Sequence, residues 1–284
     1  MKNSLRERTA TRFKHQHLDW HRACIFIACK QGSFQQLKNV VPQMSLSYQA
    51  ELAEKIRAFT GIERDFVALK FCPTLADVPS YAVRYQGKGI YCGMWKEVSN
   101  YPQPFYTVPD DHICAGGTSY TGMGQKDLPP KMIEHGWNML VGEGKIYYSR
   151  ESVTKCQESV PFSFKKEKRF EATVMGRLEQ VENPDVVMFF CNARQLEWLC
   201  HAYSFESGEL VQGLAGLSLC ALVVPHPYLA QKPIFSPGDL SGRELARMTD
   251  GEMCMTVPFK DVPTVANNLY RIKKFEDLPK SLLK

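Results

Sequence analysis

The stretch NPDVVMFFCNARQLEWLCHAYSFESG, residues 183–208, decides the fold. Residues 186–190 are wholly apolar, as strands buried on both faces of a sheet are. From residue 193 to residue 203 the apolar side chains recur at helical spacing, and Leu196 and Leu199 fall on one face. This stretch therefore predicts a buried strand that runs directly into an amphipathic helix.

Similar strand-then-helix units recur near residues 66–98 and 252–272. A helix is also predicted over residues 45–61, because Ser45 or Ser47 can cap its start and Gly61 can end it. No low-complexity linker divides residues 45–275. Strands that alternate with helices predict an α+β or mixed α/β fold, and we expect a single domain.

Three further helices are predicted from local signals. Residues 87–100 are predicted to be a loop that leads into a helix, in which Tyr91, Met94, Trp95 and Val98 stand at helical spacing. Residues 149–160 begin at a capping serine, Ser149. Residues 213–229 begin with glycines, form an apolar helix and are expected to stop at Pro225 and Pro227.

The positive charge of the chain is concentrated at its start. The 284 residues carry a net charge of +5, but residues 1–38 alone carry eight basic and two acidic residues, so the other 246 residues sum to −1. We therefore expect residues 1–44 to be a poorly ordered basic leader and residues 45–284 to be the globular domain. A nearly neutral domain does not indicate a nucleic-acid partner.

The hydrophobic pattern and the number of cysteines indicate the cellular compartment. No apolar run approaches the ~18–20 residues that span a bilayer, and the longest targeting candidate covers only residues 23–29. We therefore expect no membrane partner and a cytoplasmic protein. Ten cysteines are too few for a disulfide scaffold of this length. In a reducing cytosol each is a buried small side chain, a reactive thiol or a metal ligand.

Several motifs together resemble one known family. They are VALKF, YCGMW, ICAGGTSYTGMG, the stretch at residues 183–208, GLSLCALVVPHPYL and GDLSGRELARMTDGEMCMTVPF. In this order they resemble the uncharacterised ArCR proteins of bacteria and archaea over roughly residues 46–275. The resemblance implies cysteines in three settings, at Cys92, Cys114 and Cys220, and it implies no reaction.

Three thiolates from separate segments can hold an iron–sulfur cluster and leave a fourth position for another residue, water or a substrate. Gly116, Gly117 and Gly93 would let the backbone approach such a group closely. The spacing is not that of a CxxC zinc motif. Three alternatives stay open: buried structural thiols, a zinc site and a reactive thiol.

Two functional hypotheses follow. The first is a cytosolic iron–sulfur protein of anaerobic redox or cofactor metabolism, with a small-molecule substrate or a redox partner protein. The second is a non-catalytic small-molecule binding or regulatory protein whose thiols are structural. Lys70 and Arg243 are candidates to receive an anionic substrate, and His112 is a candidate local proton donor or ligand.

The remaining cysteines within the predicted domain have weaker settings. Cys72 precedes a proline at a strand end and is a candidate fourth ligand. Cys156, Cys191 and Cys200 lie in apolar strand or helix contexts and are predicted to be core residues.

Overall fold

The computed structural model describes residues 44–272, apart from residues 126–127, 165–166 and 217, and it describes only the backbone of residues 240–241. The predicted leader therefore lies outside the described residues, except for Met44. Within them the chain forms a mixed α/β domain, which confirms the predicted fold class.

The strands and helices alternate along much of the chain. The strands are β1 Val67–Cys72, β2 Val83–Arg84, β3 Phe105–Thr107, β4 Ala172–Arg177, β5 Val186–Cys191, β6 Gln212–Gly213, β7 Ile234–Ser236 and β8 Met253–Pro258. The helices are α1 Leu46–Thr60, α2 Tyr91–Met94, α3 Ala115–Ser119, α4 Pro130–Leu140, α5 Arg150–Glu158, α6 Ala193–Ser207, α7 Leu219–Val223, α8 Pro225–Ala230, α9 Leu240–Leu245 and α10 Val262–Leu269. None of these helices is long and apolar enough to cross a membrane.

The strands form one sheet in the order β2-β3-β4-β1-β5-β8-β7-β6. Its centre is antiparallel: β5 pairs with β1 on one side and, along its whole length, with β8 on the other. The outer pairs β2–β3 and β6–β7 are parallel. The predicted apolar strand is thus confirmed and is a central strand of the sheet.

Both faces of the sheet are covered by helices. Val187 and Phe189 of β5 pack into a core with α1, α6 and α10, while Met188 and Phe190 pack into a second core with the short helices α2, α7 and α8. Side chains alternate between the faces of a strand, so a strand covered on both faces has to be apolar throughout. Each such buried side chain contributes about 1.5–3 kcal/mol to folding.

The long helices α1 and α6 begin where the sequence predicts, and α1 also ends there. Ser45 Oγ accepts a hydrogen bond from Tyr48 N at 3.3 Å, and Gly61 ends α1 with a φ of 68°. Asn192 and Gln195 form a reciprocal capping box at the start of α6, with both hydrogen bonds at 2.9 Å. Helix α6 continues four residues past the predicted end, to Ser207.

Two predicted helices differ from the observed ones. The helix expected after the loop within residues 87–100 is a single α-helical turn, α2, followed by a 3₁₀ turn at Trp95–Ser99. Gly93 weakens a helix here, and the buried Tyr91 and Trp95 fix the path of the chain. The apolar helix expected to stop at Pro225 does stop there, as α7, but Pro225 also begins a second helix, α8. A proline lacks the N–H that continues a helix but fits a first turn.

Candidate functional site

Three cysteines from distant parts of the chain meet on the face of the sheet that carries the short helices. Cys92 is the second residue of α2, Cys114 immediately precedes α3, and Cys220 is the second residue of α7. These three helices pack against one another. Cys92 and Cys220 are buried and Cys114 is half-buried. The fold therefore brings together the three thiols that the sequence singled out.

Backbone amides favour the thiolate form of all three cysteines, and one of them makes a hydrogen bond to sulfur. Cys114 Sγ accepts a hydrogen bond from Gly117 N at 3.4 Å. The amides of Cys92 and Gly93 act to lower the pKa of Cys92, and the amide of Ala221 acts to lower that of Cys220. An N–H directed at sulfur favours the thiolate, and such hydrogen bonds tune thiolate-bound metals.

The surroundings of the two buried thiols nevertheless favour their protonated forms. Burial raises the pKa of Cys92 to about 12, and the neighbouring Cys114 and Asp239 act in the same direction. Burial also raises the pKa of Cys220, and Cys92, Cys114 and Asp239 add to it. Burial and the Asp239 carboxylate thus both oppose deprotonation of these two thiols.

The described residues contain no group of three or more His, Cys, Asp or Glu side chains that is arranged to hold a metal ion. Cys92, Cys114 and Cys220 are therefore neighbours that do not form a ready coordination site, and binding of one metal by all three would require them to move.

The glycines beside the cysteines have different steric roles. A Cβ at Gly117 would lie 2.8 Å from Tyr91 Cβ, which is too close for packed carbon atoms. A Cβ at Gly116 would meet the ring of Tyr120 at 3.3 Å, and one at Gly93 would lie 3.6 Å from the nearest backbone oxygen. Of these three positions, only position 117 requires a glycine, because Tyr91 of α2 packs directly against it.

A rim of polar side chains that the sequence did not reveal lies next to the thiols. Tyr120 has its pKa raised to about 12, first by burial and then by Cys220, and its hydroxyl accepts a hydrogen bond from Gln157 Nε2 at 2.6 Å. Tyr147 Oη lies 3.7 Å from Cys156 Sγ. Cys156 was expected in the core but is half-buried here. No regular spacing links these residues, so the sequence carries no pattern that would have found them.

Asp239 completes this neighbourhood. It caps α9, and its Oδ1 accepts hydrogen bonds from Gly242 N at 3.1 Å and from Leu219 N at 2.8 Å. Leu219 immediately precedes Cys220, so this carboxylate joins the start of α7 to the start of α9. A helix-capping signal, an aspartate three residues before a glycine, could have indicated the cap but not its position beside the thiols.

The two predicted anion-binding cations interact with backbone carbonyls instead. Lys70 Nζ donates to Glu182 O at 2.9 Å, and strand alternation places Lys70 on the face of the sheet opposite the thiols. Arg243 of α9 donates from Nη1 to Pro237 O at 2.7 Å and to Glu252 O at 3.0 Å. The fold does not bring Lys70 to the thiols, and it gives Arg243 a role in holding the loop around α9.

The two further candidates lie in different places. His112 is buried near the site: its Nε2 is 3.1 Å from Thr107 Oγ1 and its ring centroid is 5.5 Å from that of Tyr91. Cys72 lies in a separate cluster with its Sγ 3.6 Å from Asp77 O, and burial raises its pKa to about 11. Cys72 is therefore not a neighbour of the other three thiols.

The other two predicted core cysteines belong to the opposite side of the sheet. Cys191 is buried in the core shared with α1, α6 and α10, and Cys200 of α6 packs against that core while half-buried. The prediction of a core residue is confirmed for Cys191, whereas Cys200, like Cys156, is half-buried against a core. Cys191 and Cys200 are suitable controls for the thiol site.

Fold and site together define a mixed α/β domain with a cluster of three cysteines on one face of its sheet. The chain belongs to the uncharacterised ArCR family, DUF169, whose sequence profile matches residues 55–268. It is 24% identical over 218 residues to the uncharacterized protein MJ0308 of Methanocaldococcus jannaschii, a match that covers 76% of this chain and 91% of that protein. No solved structure matches the chain.

Proposed function

We propose that the protein binds an iron–sulfur cluster through Cys92, Cys114 and Cys220 and acts in redox or cofactor metabolism. The observation that carries the proposal is the meeting of three thiols from distant segments on three short helices that pack against one another. Soft thiolates suit such clusters, and hydrogen bonds to sulfur adjust their reduction potentials. A bound cluster would supply one-electron transfer.

The charges around the thiols also support a cation over a reactive cysteine. Nucleophilic cysteines lie in electropositive surroundings that lower their pKa. Here burial raises the pKa of Cys92 and Cys220, and the anionic Asp239 adds to it. A bound metal would stabilise the thiolates that these surroundings otherwise oppose, once the three thiols have moved to meet it.

The second candidate function is binding of a small molecule, with the thiols as structural residues. It is favoured by the absence, among the described residues, of a group already arranged to hold a metal. The hydroxyl groups of Tyr120 and Tyr147 at the rim would then contact a polar ligand.

The test is the metal content of the protein after anaerobic purification and reconstitution with ferrous iron and sulfide. We expect iron and acid-labile sulfide in stoichiometric amounts, with broad visible absorbance. Replacement of Cys92, Cys114 or Cys220 by serine should remove most of the iron, because serine is seldom deprotonated at neutral pH. The matched control is Cys200→Ser, on the far side of the sheet, which should keep it.

Two results would count against the proposal. Iron in the unsubstituted protein no higher than in the three serine variants would leave the thiols as structural residues. Stoichiometric zinc without iron, lost in the same three variants, would replace the cluster with a zinc site at the same thiols.

A further inference from the structure

We infer that residues 130–158 form a lid over the three thiols, which opens while the rest of the domain stays folded. These residues, here called the lid, comprise α4, α5 and the turn between them, and the structure describes all of them. The lid is attached to the rest of the domain at Tyr120, directly after α3, and at Gly216, shortly before α7. Helix α7 carries Cys220, and Cys114 immediately precedes α3. The inference does not depend on whether the thiols bind a cluster or another ligand.

The lid buries very little apolar surface. Val153 is the only buried residue within it. Helix α4 is amphipathic, yet its apolar residues Met132, Ile133 and Met139 are between 47% and 60% exposed. Neither α4 nor α5 packs broadly against another described helix or strand. Segments with so few buried apolar contacts open locally at a small fraction of the free energy of global unfolding.

Contacts within the lid hold its two helices together. Arg150 of α5 donates from Nη2 to Glu134 Oε2 of α4 at 2.8 Å, and its guanidinium lies 5.1 Å from the ring centroid of Trp137. In the turn between the helices, Tyr147 N donates to Leu140 O at 2.9 Å. Because none of these contacts involves the rest of the domain, the lid can move as one piece without breaking them.

Polar contacts of three side chains attach the lid to the rest of the domain. Tyr147 Oη donates to Gly216 O, and Cys156 Sγ donates to the same oxygen at 3.5 Å. Gln157 Nε2 donates to Tyr120 Oη at 2.6 Å. Hydrogen bonds of this kind are exchanged for hydrogen bonds to water when a segment opens, so each contributes only modestly to the closed state.

The attachment points lie beside the thiols. A Cβ at Gly116 would be 3.3 Å from the ring of Tyr120 and 3.6 Å from Cys114 Sγ, so the ring and this sulfur flank the same residue. Burial raises the pKa of Tyr120, and Cys220 and then Cys114 act in the same direction, as they do only at short range. Release of the lid from Tyr120 and Gly216 would therefore uncover the side of the site that carries these two thiols.

The test is the rate at which individual thiols of the full chain, purified without added metal, react with N-ethylmaleimide. Mass spectrometry assigns each adduct, and the reagent is limited so that most chains react at most once. Cys191 is buried in the opposite core and reports global unfolding. We expect the buried Cys220 to react at least about tenfold faster than Cys191, because lid opening precedes global unfolding.

Two variants each remove one attachment of the lid. Tyr147→Phe and Gln157→Leu should both speed the reaction of Cys220 by about two- to tenfold, the effect of one lost hydrogen bond on the opening equilibrium. The rate at Cys191 should stay unchanged in both. The matched control is Tyr148→Phe, because Tyr148 is the adjacent residue and is 84% exposed. It should change neither rate.

Three results would overturn the lid. The first is equal reaction rates of Cys220 and Cys191 in the unsubstituted protein, and the second is a Cys220 rate that neither Tyr147→Phe nor Gln157→Leu changes. The third is a rise in the Cys220 rate that Cys191 shares in both variants, because the lost contacts would then stabilise the whole domain and not a separate lid. Iron content decides the proposed function independently, so the failure of either one leaves the other standing.

Discussion

Replacing Gly117 by alanine tests how closely α2 and α3 approach each other. The added Cβ would lie 2.8 Å from Tyr91 Cβ, whereas packed carbon atoms prefer about 3.5–4.0 Å. Tyr91 is fully buried, and its ring packs edge-on against Trp95 with a centroid distance of 5.9 Å. Because the clash is with the first atom of the side chain, a rotation of the ring cannot relieve it, and the backbone of α2 or α3 has to move.

The expected magnitude is the difference of two effects. Inserting a methyl group into a well-packed core costs about 1–3 kcal/mol. Alanine in place of a helical glycine gains up to about 1 kcal/mol, because it restricts the unfolded chain. The free energy of unfolding of Gly117→Ala should therefore fall by about 1–2 kcal/mol, which is a large share of the stability of an ordinary domain.

Urea unfolding, followed by circular dichroism, measures this change as a shift in midpoint at constant slope. Gly136→Ala is the matched control, since Gly136 lies in α4 and a Cβ there would have no described heavy atom within 4 Å outside its own helix. That variant should be more stable than the unsubstituted protein by up to about 1 kcal/mol. Equal stabilities of the two alanine variants would refute the close contact between α2 and α3.

Two other stability effects follow from buried polar groups. Burial raises the pKa of Asp185 to about 6, so the folded protein holds this proton more tightly than the unfolded chain does. The free energy of unfolding should therefore fall by up to about 3 kcal/mol as the pH rises from about 4 to about 6. Urea titrations at several pH values measure this dependence, and Asp185→Asn should flatten it. The fully buried Gln49 donates from Nε2 to Leu178 O at 2.6 Å and to Val181 O at 2.8 Å. Gln49→Leu should therefore lower the free energy of unfolding by about 2–4 kcal/mol in the same assay. A decrease below about 0.5 kcal/mol would contradict the hydrogen bonds.

The elements around β5 could be predicted because their signals are local. One stretch of chain contains the apolar run of β5, the cap at Asn192 and the left-handed Gly208. All three signals indicate the same strand followed by the same helix. The order of the strands could not be predicted in the same way. Pairing of β5 with β1 and β8 joins segments more than 60 residues apart, and the apolar character of β5 reports only that both its faces are covered.

In the candidate site, too, residues with a local sequence signal could be predicted and residues brought together by packing could not. The order of motifs identified Cys92, Cys114 and Cys220, but the neighbours Tyr120 and Asp239 come together only through the packing of short helices, which leave almost no periodic signal. For Lys70, by contrast, the sequence alone was enough to predict which face of the sheet its side chain occupies. It alternates with the apolar residues on either side of it, and that alternation alone places its side chain on the other face of the sheet from theirs.

The contact at Gly117 also offers a way to tell ligand thiols from structural ones. Gly117 donates its amide to Cys114 Sγ, and its close neighbour Tyr91 directly precedes Cys92 in α2, so this one contact sets the separation of two thiols. If the thiols hold a cluster, Gly117→Ala should lose iron under conditions where circular dichroism shows that it is still folded, because moving α2 changes the distance that both ligands must span. If the thiols are structural, the same variant should lose only stability. If Gly117→Ala and Gly136→Ala take up the same amount of iron on reconstitution, the contact at Gly117 does not control metal binding.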